Sequence, residues 1–424
     1  MNAKIRVPHR DQMEMRTESL DQMLTPDHVA RAVWDFVLQL DLTPWTSKIK
    51  SIHGCAGAKA LDPRVLAALW ILATLDGIGS ARELARLTLV HMAYRWLCGD
   101  ESVNHHSLSD FRNSEPEWLE KLLAQSAAAL IHAGFADLTE VAQDGMRVRA
   151  NAGASSYRRE PTLKECLAAA EAQVAALKQA QDEEETPRTR ESAARERAAR
   201  ERKERLKAAL ANLAELQAEN AERPPCRRKD PSALRASMTD PEAPKMKMAD
   251  GGFRPAYNVQ FATTVKGKVA LAAAVTAEGV DSGQMEPMVE KVESLYGERP
   301  GAYSVDGGFV DQAAIGRVEE SQTRVYAPVP CADKMTKKGQ DPYARRPGDT
   351  DAEAAWRERM GTEEGREHYK KRAETAELIN AQARNHGLRQ FMVRGLEKVF
   401  SSTLWYALSH NFQCYRRWKL SLEV

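Results

Sequence analysis

Apolar residues recur at helical spacing from residue 25 to residue 135 and at alternating spacing from residue 140, so the chain changes there from helix to sheet. A first helix is expected after Thr25-Pro26-Asp27, with Val29, Val33, Phe36, Val37 and Leu40 along one stripe. Asp62 before Pro63 reads as an N-cap with proline in the first turn; Leu66, Leu69, Trp70 and Ala73 share a face, and Gly77 ends that helix. Ser80 and Glu83 have the spacing of a capping box, opening a helix that buries Leu84, Leu87 and Val90 or His91. Two helices around Asp76-Gly77-Ile78-Gly79 fit either an ordinary helical hairpin or a DNA-reading helix-turn-helix.

The string VAQDGMRVRANA begins the strands, and YNVQFATT (257–264) and KVALAAAVT (268–276) form a hairpin around Lys266-Gly267. A helix (284–296), a strand with a glycine turn (302–308), a helix (311–321), a strand (323–329) and a long polar helix ending near Arg384 follow. A mixed sheet flanked by helices is the economical fold for that order. About 90 residues between the first strand and the hairpin stand apart. There Leu163, Leu167, Ala170, Val174 and Leu177, then Leu206, Leu210 and Leu213, step by four and three on either side of Glu185-Thr-Pro187, as in a helical hairpin with a coiled-coil seam. Arg223 to Lys247 is basic, rich in proline and expected to be irregular, a composition suited to phosphate contact.

Charge sharpens this picture. With 61 basic and 60 acidic side chains the net charge is +1, so nucleic-acid binding would rest on local basic segments, not on a basic chain. The longest apolar run, 65–75, is short of a bilayer span, and the charged start MNAKIRVPHRDQ does not read as a signal peptide; a cytoplasmic location, without membrane contact, is expected. The six cysteines form no Cys-x-x-Cys pair and read as reduced, mostly buried thiols. Trp70, Trp96, Trp118 and Trp405 sit in apolar helical patterns, and packing is expected of each. His105-His106 would point to different faces of a helix, which disfavours shared metal binding, and Ser107 and Ser109 read as capping residues.

Asp144, in QDGMRVRA, and Asp306, in YSVDGGF, each stand next to glycine at or beside a predicted strand end. One such aspartate reads as an Asx-turn. Two in one sheet offer hard oxygen ligands to Mg²⁺ or Mn²⁺, and two such ions can promote phosphodiester cleavage and transfer. A third acid is expected from the helix YKKRAETAELINAQAR, where Glu374 and Glu377 are candidates; Arg384 follows Glu377 at seven residues, near the same helical face.

The strings ARELARLTLVHMAYRWLCGD, NHHSLSDFR, DGMRVRANA, PAYNVQFATT, SVDGGF and YKKRAETAE…GLRQFMVRGLEKV together resemble those of bacterial insertion-sequence transposases of the DDE type. The resemblance implies a helical N-terminal domain (1–135) that binds DNA and a ribonuclease-H-like core (136–155 and 245–390). Between the parts of that core stand the inserted hairpin and basic linker read from the spacing above (156–244), and after them a C-terminal helical tail is expected (391–424). The expected fold is therefore α+β, a mixed sheet flanked by helices. The implied triad is Asp144, Asp306 and Glu377 holding two Mg²⁺ ions, with Mn²⁺ as a substitute. Tyr369, Arg372 and Arg384 would grip DNA near the cut, and Arg227, Arg228 and Lys229 would add phosphate contacts.

A common form of the family's helix motif sets glutamate four residues after the arginine, where this chain has Ala376; Glu377 comes one later, and Glu374 is the rival. The implied partners are double-stranded DNA, as terminal inverted repeats and target, and a second copy of the chain in a homodimer near the nucleoid. The implied activity is metal-dependent cleavage at element ends followed by strand transfer. Alternatives are a catalytically inactive or domesticated DNA-binding derivative and a nuclease that cuts without joining.

Overall fold

The computed structural model describes residues 17–49, 51, 60–183 and 189–422; the charged start, Cys55 and the Glu185-Thr-Pro187 break lie outside them. Seven helices come first: α1 (Val29–Val37), α2 (Thr43–Ser47), α3 (Pro63–Leu75), α4 (Ala81–Val90), α5 (Met92–Cys98), α6 (His105–Arg112) and α7 (Pro116–His132). The caps follow local chemistry, with some differences from expectation. Asp62 accepts from the Arg64 amide ahead of Pro63, while α1 is capped by His28, not by the residues of Thr25-Pro26-Asp27. Ser80 caps α4 through the Glu83 amide, but the Glu83 carboxylate turns to Arg86. Asn104, not a serine, caps α6.

Helix α3 is apolar on nearly every side and is buried from Leu66 to Thr74, because α1, α5, α6 and the last helix all pack on it. The buried side of α4 is Ala81, Leu84 and Thr88; Leu87 is half-buried, and Val90 and His91 face solvent. Trp70 and Trp405 are buried, whereas Trp96 and Trp118 are only partly so.

Strand β1 (Glu140–Arg149) opens the sheet. An excursion follows through β2 (Tyr157–Arg158), α8 (Glu160–Glu183), α9 (Arg190–Glu222) and β3 (Ala236–Ser237), with β2 and β3 pairing antiparallel at its foot. The predicted seam is the hairpin's own core: Leu163, Ala170, Leu206, Ala209 and Leu213 are buried together with Ala236. The segment expected to be irregular contains two 3₁₀ turns and ends in a strand, β4 (Lys245–Lys247), whose Met246 is buried against the sheet. Regular pairing wins there because β5 (Phe253–Thr264) offers an open edge at Phe253–Pro255.

The rest of the chain is β6 (Ala270–Thr276), α10 (Met285–Tyr296), β7 (Ala302–Ser304), α11 (Gln312–Glu320), β8 (Arg324–Tyr326), α12 (Ala332–Lys337), α13 (Asp351–Gly361), α14 (Glu363–Asn385) and α15 (Leu396–Leu422). The long polar helix is thus two helices, α13 and α14, divided at Thr362, and the two late strands are shorter than their apolar strings. Strand order is β4-β5-β1-β7-β8, with β6 also on β5; β5 runs antiparallel to β1, β4 and β6, and β7 and β8 continue parallel to β1. Gly267 turns the β5–β6 hairpin at φ +74°, and a Cβ there would meet the Phe135 carbonyl oxygen at 2.5 Å, so only glycine fits.

One hydrophobic core runs from the N-terminal helices into the sheet. Helix α15, expected as a tail, is central to it: Trp405, Leu408 and Phe412 are buried, and Asn411 bonds both backbone groups of Ala270 and the Ser126 hydroxyl. No described helix is long and apolar enough to cross a membrane.

Candidate active site and nucleic-acid interface

Asp144 occupies the middle of β1, not its end, and points toward α14 because its neighbours Gln143 and Gly145 take the other face. Its Oδ1 accepts from the Gly145 amide at 2.9 Å, and its Oδ2 accepts from Asn380 Nδ2 at 3.0 Å. Burial pushes its carboxyl above the usual range, against the lowering pull of Arg372 and of the Asn380 bond, while the charge of Asp306 adds to the rise. Asp306 follows β7, the strand beside β1, and its Oδ1 accepts from the Gly308 amide at 2.7 Å, the turn expected of an aspartate at a strand end. The two aspartates therefore lie within electrostatic reach of each other.

Helix α14 supplies the rest. Arg372 sets Nη1 4.0 Å from Asp144 Oδ1 and Nη2 3.6 Å from Glu377 Oε1, and lies 5.7 Å from the Tyr369 ring centre. Burial raises the Tyr369 hydroxyl, with Arg372 opposing. Glu377 is 60% exposed and rests on Arg372; Glu374 is exposed as well. Among the described residues, no three His, Cys, Asp or Glu side chains are gathered as a metal cage. The donors at hand, the Asp144, Asp306 and Glu377 carboxylates and a partnerless Asn380 Oδ1, are all oxygens, a set that suits a hard divalent ion.

Several site residues gave no signal by spacing. Asp281 accepts from Asn258 Nδ2 at 2.8 Å and Gln260 Nε2 at 2.7 Å, and a Cβ on Gly145 would come within 2.6 Å of its Oδ1. The available hint was Gln143, Asn258 and Gln260, polar residues inside predicted strands; all three are buried. His368 stacks on Tyr326 at 3.7 Å and meets Glu140 at 3.3 Å, its pKa lowered by burial against the pull of that carboxylate.

Beside Gly145 a groove of about 500 Å³ is lined by Arg147, Arg149, Arg254, Arg384 and Arg389, with Asp250 and Asp281. Arg254 pairs with Asp250, and Arg147 bonds the carbonyls of Lys247 and Gly279. Arg149, Arg384 and Arg389 have no carboxylate partner among the described residues, Arg389 Nε donating to the Arg384 carbonyl at 3.4 Å, so their guanidinium charges can meet an anion. Arg384 is thus brought to the site. Arg227, Arg228 and Lys229 are not: they are exposed at the foot of α9, where the Lys229 backbone bonds the Asn220 side chain.

The N-terminal helices match a family described as Transposase domain (DUF772) over residues 18–114. Residues 330–416, which include α14, match the Transposase DDE domain. No curated protein and no solved structure matches the chain. The two matches bear out, over these two segments, the resemblance to transposases of the DDE type drawn from the sequence.

Proposed function

We propose that the protein cuts DNA at the ends of its element and joins the freed 3′ hydroxyl to target DNA at a site formed by Asp144, Asp306 and Glu377. The observation that carries this reading is the pair of aspartates, Asp144 on β1 and Asp306 just past the adjacent parallel strand β7, with Tyr369, Arg372 and Glu377 on the helix packed over the sheet. The order β6-β5-β1-β7-β8, three antiparallel strands continued by two parallel ones with β4 added on β5, supports a ribonuclease-H-like core. Divalent ions held by the three carboxylates, Mg²⁺ or Mn²⁺ and two in number, would activate the attacking oxygen and neutralise the leaving one. Glu377 must leave Arg372 to join the aspartates. Arg372 is then released toward a phosphate, and Arg149, Arg384 and Arg389 hold the adjoining backbone in the groove.

Under this reading residues 1–135 bind element ends, 136–155 with 245–390 form the catalytic core, and the 156–244 insertion helps pair two copies of the chain on two ends near the nucleoid. The test is a strand-transfer assay with a pre-cut end. Joined product that disappears in Asp144→Asn is expected; hydrolysis without joining would leave a nuclease.

A further inference from the structure

Helix α14 turns one buried face to the sheet, made of Thr375, Ala376, Ile379, Asn380 and Ala383. Asparagine is a poor choice there on local grounds. It forms helix less readily than alanine or leucine, and a buried amide carries a desolvation cost unless both its ends find partners. Asn380 is 2% exposed, and only one end is satisfied: Nδ2 donates to Asp144 Oδ2 at 3.0 Å, while Oδ1 is buried without a partner among the described residues. Helix packing alone accounts for neither feature, since an apolar side chain of the same size would leave no orphaned oxygen. What the asparagine adds is a fixed donor against one oxygen of Asp144.

The contacts of Asp144 divide accordingly. Oδ1 faces the Gly145 amide and Arg372; Oδ2 faces Asn380. The amide is neutral and is carried on a packed helix, so it holds the carboxylate without competing for its charge. Glu377, three residues earlier on α14, makes no such contact and lies outside on Arg372. Resting on the triad reading above, we infer that Asn380 is a positioning residue of the active site, orienting Asp144 so that its free lone pairs face a divalent cation. Partners of this kind behind a metal ligand commonly change metal affinity or activity ten- to a hundredfold when removed.

The experiment measures Mn²⁺ binding to the full chain without DNA, by electron paramagnetic resonance of free Mn²⁺, so that no turnover is needed. Asn380→Leu removes the donor at similar volume, and Asn380→Ser keeps a hydroxyl too short to reach Asp144. Both are expected to weaken Mn²⁺ binding at least tenfold. Duplex affinity in the absence of metal should stay as in the parent, and the leucine variant should keep its Tm because the orphaned oxygen goes with the donor. If the leucine variant does not fold, the serine variant decides. Asp144→Asn serves as the reference. Mn²⁺ affinity within twofold of the parent in the Asn380 variants, alongside its loss in Asp144→Asn, overturns the role of Asn380 alone. Unchanged binding in Asp144→Asn as well overturns the triad and this inference together.

Discussion

Arg372 stands between two carboxylates of unequal burial, 4.0 Å from Asp144 and 3.6 Å from Glu377, and itself 13% exposed. Solvent screens its attraction to exposed Glu377 far more than its attraction to the mostly buried Asp144. The guanidinium is therefore anchored on the strand side, and the glutamate is the partner that moves. Arg372→Gln should lower both cleavage and duplex affinity, and Arg372→Lys should restore little, because a single ammonium cannot face two carboxylates as the planar fork does. Full activity in the lysine variant would reduce Arg372 to a point charge.

Asp144→Asn and Asp306→Asn should each abolish cleavage, by at least a hundredfold, and leave duplex binding intact, since each removes anionic ligand charge and spares the arginine groove. Gel-shift and nicking assays on one preparation check this. Glu377→Gln should be inactive and Glu374→Gln active; the reverse would move the third acid back by three residues.

The unpaired groove arginines should carry more of the salt-dependent binding than the linker does. Every phosphate that goes without its cation lowers the slope of log K against log salt by roughly 0.9. Alanine at Arg149, Arg384 and Arg389 should reduce the slope by up to three such steps, alike on specific and unrelated duplexes. Alanine at Arg227, Arg228 and Lys229 should change it less, and a larger change there would make the foot of the hairpin the main phosphate surface.

Replacing residues 161–222 by a short flexible linker should leave the sheet folded, because α8 and α9 bury their apolar residues against each other and Ala236, apart from the main core. Near-ultraviolet circular dichroism and a cooperative melt check the fold, and end pairing by two copies should weaken. An unfolded deletion variant would make the hairpin part of the core.

His410 links stability to pH. Its Nε2 lies 2.6 Å from the Lys268 carbonyl oxygen and its Nδ1 2.7 Å from Gln382 Oε1, and burial pulls its pKa down to about 4 from 6.5. Between those values the unfolded chain binds the proton and the native chain does not. Stability from this group is complete above pH 6.5 and is lost as pH falls toward 4, by about 3 kcal/mol at most. Urea melts of the parent and His410→Gln should diverge across that window, and parallel curves would assign the acid sensitivity to other groups.

Periodic spacing along the chain was enough to separate helices from strands at residue 140, to find the α8–α9 seam, the β5–β6 hairpin and the caps at Asp62 and Ser80. Each of these depends on neighbours within a turn or two. The strings around Asp144, Asp306 and Tyr369 to Arg384 stood out through their resemblance to a family of transposases. Packing between distant segments decided the rest. It put Asp144 in the middle of β1, set Asn380 and not Glu377 against it, and left Val90 exposed at the end of α4. It also assembled a groove from arginines of β1, β5 and α14 and buried α15 between the N-terminal helices and β6. Which face of a helix meets a strand more than 200 residues away, as at the Asn380–Asp144 bond, is set by the volumes of everything between them, and no local spacing encodes it.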